Sequence, residues 1–308
     1  MVKKEFYYKS NAKKEKIHAV KWIPDGEIRA IVMIVHGMTE FIERYEETAL
    51  FLCEKGFLVA GNDHLGHGAS IGKNPPGYMC KKDPATILVE DVEKLRQLLV
   101  KEYPDLPLIM LGHSMGSLIT RNYLTVYGDH LSGVILSGTL LMPMGTMKLM
   151  DLLIKINTLF YGTKHPNALL NKIAFGAYNR KIPQPKTDND WLTKDEEIVQ
   201  AYTKNPLCTF IFTNNGFHAL QQLGVRLHDK KRLAAIPKSL PVLFMYGKED
   251  PCGDYGVGAH KVYESYVNLG IRSVKEIAYS GDRHELLNET DREKVREDIY
   301  HWIEAEIL

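Results

Sequence analysis

Short, unbroken apolar runs alternate along this chain with longer stretches in which apolar residues recur every three or four positions. The runs are Ala30–Gly37, Gly56–Asp63, Leu108–Gly112, Leu131–Ser137 and Pro241–Gly247, and VKEIAY, Val274–Tyr279, reads as a further strand. Continuous apolar runs bounded by Gly or Asp predict strands buried on both faces, as in a parallel sheet. Between them the spacing predicts helices over Arg44–Lys55, Pro84–Tyr103, Ser117–Gly128, Gly258–Leu269 and Asp291–Ile307. This alternation predicts an α/β fold, a mostly parallel central sheet with helices on both faces. The beginning differs: EFYYKS and KIHAVKWIP, joined by the turn-rich Ser10–Lys13, predict an antiparallel hairpin at a sheet edge.

From about Leu140 to Pro237 the alternation breaks, and Met, Leu, Ile, Asn and aromatic residues dominate. The expected organisation is therefore a core of residues 1–139 and 238–308 with a helical cap, 140–237, inserted before the late strands. Within Met142–Gly162 one helical strip collects Lys148, Asp151 and Lys155. The wide apolar remainder includes Met147, Met150, Leu153 and Ile154. Such a surface must be covered, either by the core or, since methionine adapts to varied shapes, by lipid-like chains beneath a lid. Aromatic residues in Phe210–Leu220 are expected to narrow a pocket in the same way.

The run Leu108–Leu111 ends in Gly112-His113-Ser114-Met115-Gly116, where a strand turns sharply into a helix. A serine at such an elbow projects its hydroxyl above the sheet edge, and glycines on either side let the strained turn pack against its neighbours. Serine needs a base to act as a nucleophile, and the base needs a carboxylate to orient it. Asp250 follows the run ending at Gly247 and His284 follows the run ending at Tyr279, both at expected carboxyl strand ends where sites of open α/β sheets lie. Asp254 is the substitute acid. The order Ser, Asp, His is that of the α/β-hydrolase arrangement. His36-Gly37-Met38, after the Ala30 run, is placed to supply one oxyanion-hole amide from Met38, the other coming from Met115.

Composition narrows the reading further. A chain of 308 residues can bury a large core, and a formal charge of +1 suggests neither nucleic acid nor an anionic membrane as partner. No apolar run approaches about 18 residues and no apolar leader is visible, so a cytoplasmic location is expected. The four cysteines, Cys53, Cys80, Cys208 and Cys252, have no C-x-x-C spacing and indicate neither zinc nor a disulfide framework. His64 and His67 lack companion ligands at a metal-binding spacing and are expected to brace a loop by hydrogen bonds. No metal and no cofactor are expected.

In combination HGMTEFIERY, NDHLGHGAS, GHSMGS, GKEDP and GDRHELLNE resemble, in order and over almost the whole chain, the motif set of the monoglyceride lipase and lysophospholipase branch of the α/β-hydrolases. One departure is Phe41 after Glu40, where that family often has His. The resemblance implies a triad of Ser114, Asp250 and His284, an oxyanion hole of Met38 and Met115, and a cap over an acyl pocket. Gly37, His113, Met147 and Met150 are the expected substrate contacts. The expected activity is cofactor-independent hydrolysis of carboxylic esters through an acyl-Ser114 intermediate, with monoacylglycerols or lysophospholipids as small-molecule substrates and transient contact with a membrane or micelle surface. Rival readings are a small-acyl or aromatic carboxylesterase, an aminopeptidase of the same fold using cap acids such as Asp188, Asp190, Asp195 or Glu196, and a non-enzymatic ligand receptor.

Overall fold

The computed structural model describes residues 1–308. Eight strands form one sheet: β1 Val2–Lys9, β2 Lys16–Ile23, β3 Ala30–Val35, β4 Phe57–Asn62, β5 Leu108–His113, β6 Gly133–Ser137, β7 Val242–Gly247 and β8 Val274–Tyr279. Their spatial order is β1-β2-β4-β3-β5-β6-β7-β8. β1 and β2 form the expected antiparallel hairpin, β2 pairs antiparallel with β4, and every later pairing is parallel. The helices are α1 Glu46–Glu54, α2 Pro84–Glu102, α3 Met115–Tyr127, α4 Met144–Tyr161, α5 Ala168–Phe175, α6 Glu196–Lys204, α7 Asn214–Arg226, α8 Lys230–Ala234, α9 Val257–Asn268 and α10 Arg292–Glu306.

Two boundaries differ from expectation for local reasons. The helix expected from Arg44 begins instead as a 3-10 turn over Ile42–Tyr45, whose Ile42 N–H donates to Asp63 Oδ1 at 2.8 Å. The elbow helix starts at Met115, immediately after the serine, two residues earlier than its apolar spacing suggests.

Pleating divides each parallel strand between two cores. Ile31, Met33 and Val35 of β3 join the larger apolar cluster, whereas Ala30, Val32 and Ile34 join the smaller one. Both faces are thus covered, which explains the absence of polar alternation in these runs. The parallel register pairs Val35 with Gly112, His113 with Ser137 and Gly247 with Tyr279, so the loops after these strands open along one edge of the sheet.

Residues 140–237 contribute five helices and no strand of the sheet. They do not form a separate layer. Phe212, Phe217 and Leu223 are fully buried in the same cluster as β3 and β5, and α7 packs on α2, α3 and α4. Met147, Met150 and Ile154 of α4 also enter that cluster, while Leu149, Leu152, Ile156 and Leu159 stay exposed on the helix's other side. The expected apolar remainder of α4 is therefore two faces, one turned inward and one outward.

The tightest backbone approach lies at the elbow. A Cβ on Gly116 would fall 1.9 Å from the Val35 carbonyl oxygen, and one on Gly112 would fall 2.4 Å from Thr120 Oγ1. Gly116→Ala must push α3 away from β3, and we expect a loss of more than about 2 kcal/mol in urea unfolding, at or above the usual cost of overpacking a core.

Candidate active site

Ser114 has φ 53° and ψ −118°, a conformation rare for any residue but glycine. Its N–H donates to the Ser137 carbonyl at 3.0 Å, fixing the elbow to β6, and the Ser117 hydroxyl donates back to the Ser114 carbonyl at 2.6 Å. Such backbone strain costs roughly 1–3 kcal/mol and persists only where the surroundings over-determine it.

The three residues expected to act together lie in one hydrogen-bonded line. Ser114 Oγ is 2.8 Å from His284 Nε2, and His284 Nδ1 is 2.9 Å from Asp250 Oδ2. Asp250 Oδ1 accepts from the Cys252 N–H at 2.8 Å, so both carboxylate oxygens are engaged. Asp250 is wholly buried and His284 nearly so. Asp254, the substitute acid, is exposed. Burial disfavours the charged imidazole, but the Asp250 carboxylate outweighs it and raises the His284 pKa above 6.5. His113, whose ring centroid is 4.8 Å from that of His284, goes the other way: burial and the neighbouring imidazole push it down to about 3. The pair is split into one protonatable ring and one that stays neutral.

Gly37 brings the loop after β3 against the serine. A Cβ there would lie 3.2 Å from Ser114 Cβ and 2.6 Å from Glu40 Oε1. Met38 and Met115 line the same cavity as Gly37 and Ser114. Glu40 folds this loop back on itself, accepting from the Gly37 N–H and from the Tyr45 hydroxyl. Arg44 then bridges two loops: it donates to Glu40 Oε2 at 2.9 Å and bidentately to Glu285 at 2.8 and 2.7 Å. Burial works against the Glu285 carboxylate, yet Arg44 more than offsets it and holds that group ionised, below the ordinary carboxylate range. The sequence reading missed Arg44 and Glu285. Their signal was present, since Arg44 lies inside HGMTEFIERY and Glu285 follows the histidine directly. Phe41, the departure from the family pattern, packs its side chain against the apolar cluster of Leu192, Tyr202 and Cys208, and only its carbonyl meets the network, accepting from the Arg44 N–H at 3.2 Å.

A cavity of about 1030 Å³ opens over Ser114. Met147, Met150, Met142 and Leu220 form an apolar part, and Asn171, Asn179, Asp188 and Asn189 a polar part. His113 also lines it. Of the Phe210–Leu220 aromatics, Phe210 reaches the cavity while Phe212 and Phe217 belong to the core. Among the acids weighed for an ammonium site, only Asp188 lines the cavity. Asp190 binds Thr187, Asp195 caps α6 and pairs with Arg292, and Glu196 pairs with Lys186.

Two clusters have donor types that suit a metal. Ligand atoms of Asp250, Cys252 and His284 lie within 4.8 Å of one another, but the imidazole and carboxylate are already bonded to each other and burial pushes the thiol far up, away from the thiolate a metal would need. His36, His64 and His67 are buried together, their rings 4.2 to 6.2 Å apart. They serve the loop: His36 Nε2 accepts from the His64 N–H at 3.0 Å, and His67 Nδ1 is 3.0 Å from the Leu65 carbonyl. Burial lowers all three pKa values, that of His67 to about 4.

Sheet order, elbow and site edge are those of an α/β-hydrolase. Residues 26–291 match the Hydrolase_4 family, described as serine aminopeptidase, S33, and the chain belongs to that family, within its monoglyceride lipase and lysophospholipase branch. It is 29% identical over 286 residues to a monoacylglycerol lipase of Mycolicibacterium smegmatis, covering 92% of this chain and 90% of that one. It is 30% identical over 246 residues to the monoglyceride lipase of Homo sapiens, covering 79% and 72%. The crystal structure of a thermostable carboxyl esterase from Bacillus coagulans, solved with glycerol, superposes over the full length of both chains with a TM-score of 0.92 and 33% identity. The chain is an ester hydrolase.

Arg44 is the cation shared by two buried carboxylates. Arg44→Met strands both, and we expect about 3–5 kcal/mol of destabilisation in urea unfolding, with much of it recovered in an Arg44→Met/Glu285→Leu double variant.

Proposed function

We propose that this protein is a serine hydrolase of monoacylglycerols, with lysophospholipids as the neighbouring substrate class, acting through Ser114, His284 and Asp250. The observation that carries the reading is the unbroken hydrogen-bonded line from Ser114 Oγ through His284 to a fully buried Asp250. His284 Nε2 takes the hydroxyl proton as Ser114 Oγ bonds to the ester carbonyl carbon. The oxyanion rests on the amides of Met38 and Met115, while Asp250 holds the imidazole in orientation and stabilises its charged form. The alcohol leaves with the proton from His284, and water, activated by the same base, hydrolyses the acyl-serine. Gly37 allows the oxyanion loop to approach, and His113, kept neutral, adds no repulsion to the imidazolium.

The substrate class follows from a cavity with an apolar part at Met142, Met147 and Met150 and a polar part at Asn171, Asn179 and Asn189. A chain needs the first and a glycerol-like alcohol the second. We read 140–237 as the cap that supplies both walls. The relatives' names agree with this division, as does the glycerol in the esterase structure. A small-acyl esterase would leave most of the apolar part empty. An aminopeptidase needs a committed ammonium site, and three of the four cap acids are engaged elsewhere.

We further propose contact with a membrane or micelle surface through the outer face of α4. Leu149, Leu152, Ile156 and Leu159 recur at helical spacing, Leu159 at 82% and Phe160 at 73% exposure, and Leu169 and Ile173 of α5 extend the patch. A contiguous apolar face beside a lipid-sized cavity suits an interface where the substrate dissolves. No helix is long and apolar enough to cross a membrane. Four free cysteines support a reducing, cytoplasmic setting.

A fluorophosphonate probe should label Ser114, read as one adduct by mass spectrometry and absent from Ser114→Ala, whose ester turnover should fall by about 10,000-fold or more. Acyl esters from C2 upward should be hydrolysed faster as the chain lengthens to about C8 and beyond, as an apolar chain pocket requires. Since His284 must be neutral to accept the serine proton and its pKa is raised, the acid limb of kcat/KM should have its midpoint above pH 6.5.

A further inference from the structure

The loop that carries His284 is stitched to a single short stretch of the insertion. Arg283 Nη1 donates to the carbonyls of Asp190 at 2.8 Å and Thr193 at 3.0 Å. The Glu285 N–H donates to the Leu192 carbonyl at 2.7 Å, and the Thr193 hydroxyl donates to the Asn288 carbonyl at 2.9 Å. Lys194 adds its N–H to Glu289 Oε2 at 3.1 Å and its ammonium to Asp282 Oδ1 at 2.7 Å. Residues 190–194 are thus bonded to the histidine loop on both sides of His284, although 88 to 95 positions separate the partners in sequence.

Trp191 sits inside that stretch. Its ring centroid is 5.0 Å from that of His284, at an interplanar angle of 42°. Trp191 is itself held: its backbone N–H donates to Asn179 Oδ1 at 3.0 Å, and its indole is met edge-on by Tyr178 at 4.8 Å and stacked on by Phe175 at 6.4 Å. A cation within about 6 Å of an indole ring is attracted by the ring's quadrupole, more strongly where water is excluded. The imidazole is neutral before Ser114 is deprotonated and positive afterwards, so an indole beside it favours the state formed in the reaction.

We propose that Trp191 is a positioning residue for the base: carried by the insertion but clamped to the histidine loop, its indole covers the His284 imidazole and stabilises the imidazolium that forms when Ser114 gives up its proton. This rests on the triad reading above. Its consequence is that the insertion contributes to proton transfer as well as to substrate binding.

The other titratable and charged groups around His284 are Asp250 and Cys252 after β7, His113 before α3, Glu40 and Arg44 in the loop after β3, Tyr178 from the insertion and Glu285 beside it. None changes in the variants that test the proposal. With a short, soluble p-nitrophenyl ester, kcat/KM is measured against pH for the wild type, Trp191→Phe and Trp191→Leu. Loss of the aromatic face in Trp191→Leu should lower the plateau by roughly 3- to 30-fold and move the acid limb to lower pH, because the imidazolium has lost stabilisation. Trp191→Phe should recover most of both effects. A Trp191→Leu limb that coincides with the wild-type limb overturns the proposal, whatever happens to the plateau, since a role in packing alone would lower rate without moving the base's titration.

Should Trp191→Leu fail to fold, the wild-type protein supplies the test through its fluorescence. An imidazolium quenches an adjacent indole, so the emission difference between wild type and Trp191→Phe should titrate at the pH of the acid limb. A difference flat across that range overturns the proposal. Fluorophosphonate labelling separates the two levels: absence of a Ser114 adduct in the wild type removes the triad reading and this inference with it, whereas labelling with an unmoved limb removes only the role of Trp191.

Discussion

The carbonyl oxygen of Val35 is the contact on which the geometry of the site depends. Gly116 lies so close to it that no side chain fits between β3 and the first turn of α3. This closeness fixes where the helix begins, and with it the left-handed turn at Ser114, whose strain is held by the bond from its N–H to Ser137. The chain that supplies Val35 runs straight on into His36, Gly37 and Met38. One backbone contact therefore positions both the serine and the loop that faces it, and neither can shift without the other.

His284 is held by a different logic. At the end of β7, a Cβ on Gly247 would fall 2.2 Å from the Asp282 carbonyl, so the strand carrying the acid and the loop carrying the histidine also meet backbone to backbone. Beyond that contact the loop relies on side chains: Arg44 on Glu285 from the loop after β3, and Arg283, Thr193 and Lys194 toward the insertion. The serine side is set by packing of strands and helix, which is stiff. The histidine side is set by hydrogen bonds and ion pairs whose strength depends on how dry the surroundings are.

What was legible in the sequence follows this split. The parallel strands and the elbow could be read because burial on both faces leaves an unbroken apolar run and because close backbone approach demands glycine. Asp250 and His284 could be picked out because each follows the end of a predicted strand within a few residues. Arg44, Glu285 and Trp191 were missed: the first two lie inside motifs that were noticed, but their role, like that of Trp191, depends on partners far away in the chain that no periodicity marks. The insertion was legible as helical but not in its packing. Phe212 and Phe217 fill the core, Phe210 reaches the cavity, and nothing in FIFTNNGF distinguishes them before the fold is known.

The insertion consequently divides its duties in a way its composition conceals. α7 is core, since it carries Phe217 and Leu223 against α2 and α3. Residues 190–194 belong in effect to the histidine loop. A third part is α4 with α5, where α4 rests on α7 and α5 on α4. It is also the part whose inner face is methionine and whose outer face is exposed leucine. Methionine tolerates varied neighbours at little cost, whereas a rigid wall of branched residues would select one shape. On the function proposed above, adaptability is thus placed where a chain of variable length would lie, and stiffness at Ser114 and His284. A continuous cap with uniform packing would compromise one of these, because loosening it to admit a longer chain would also loosen Trp191 and the bonds that hold the His284 loop.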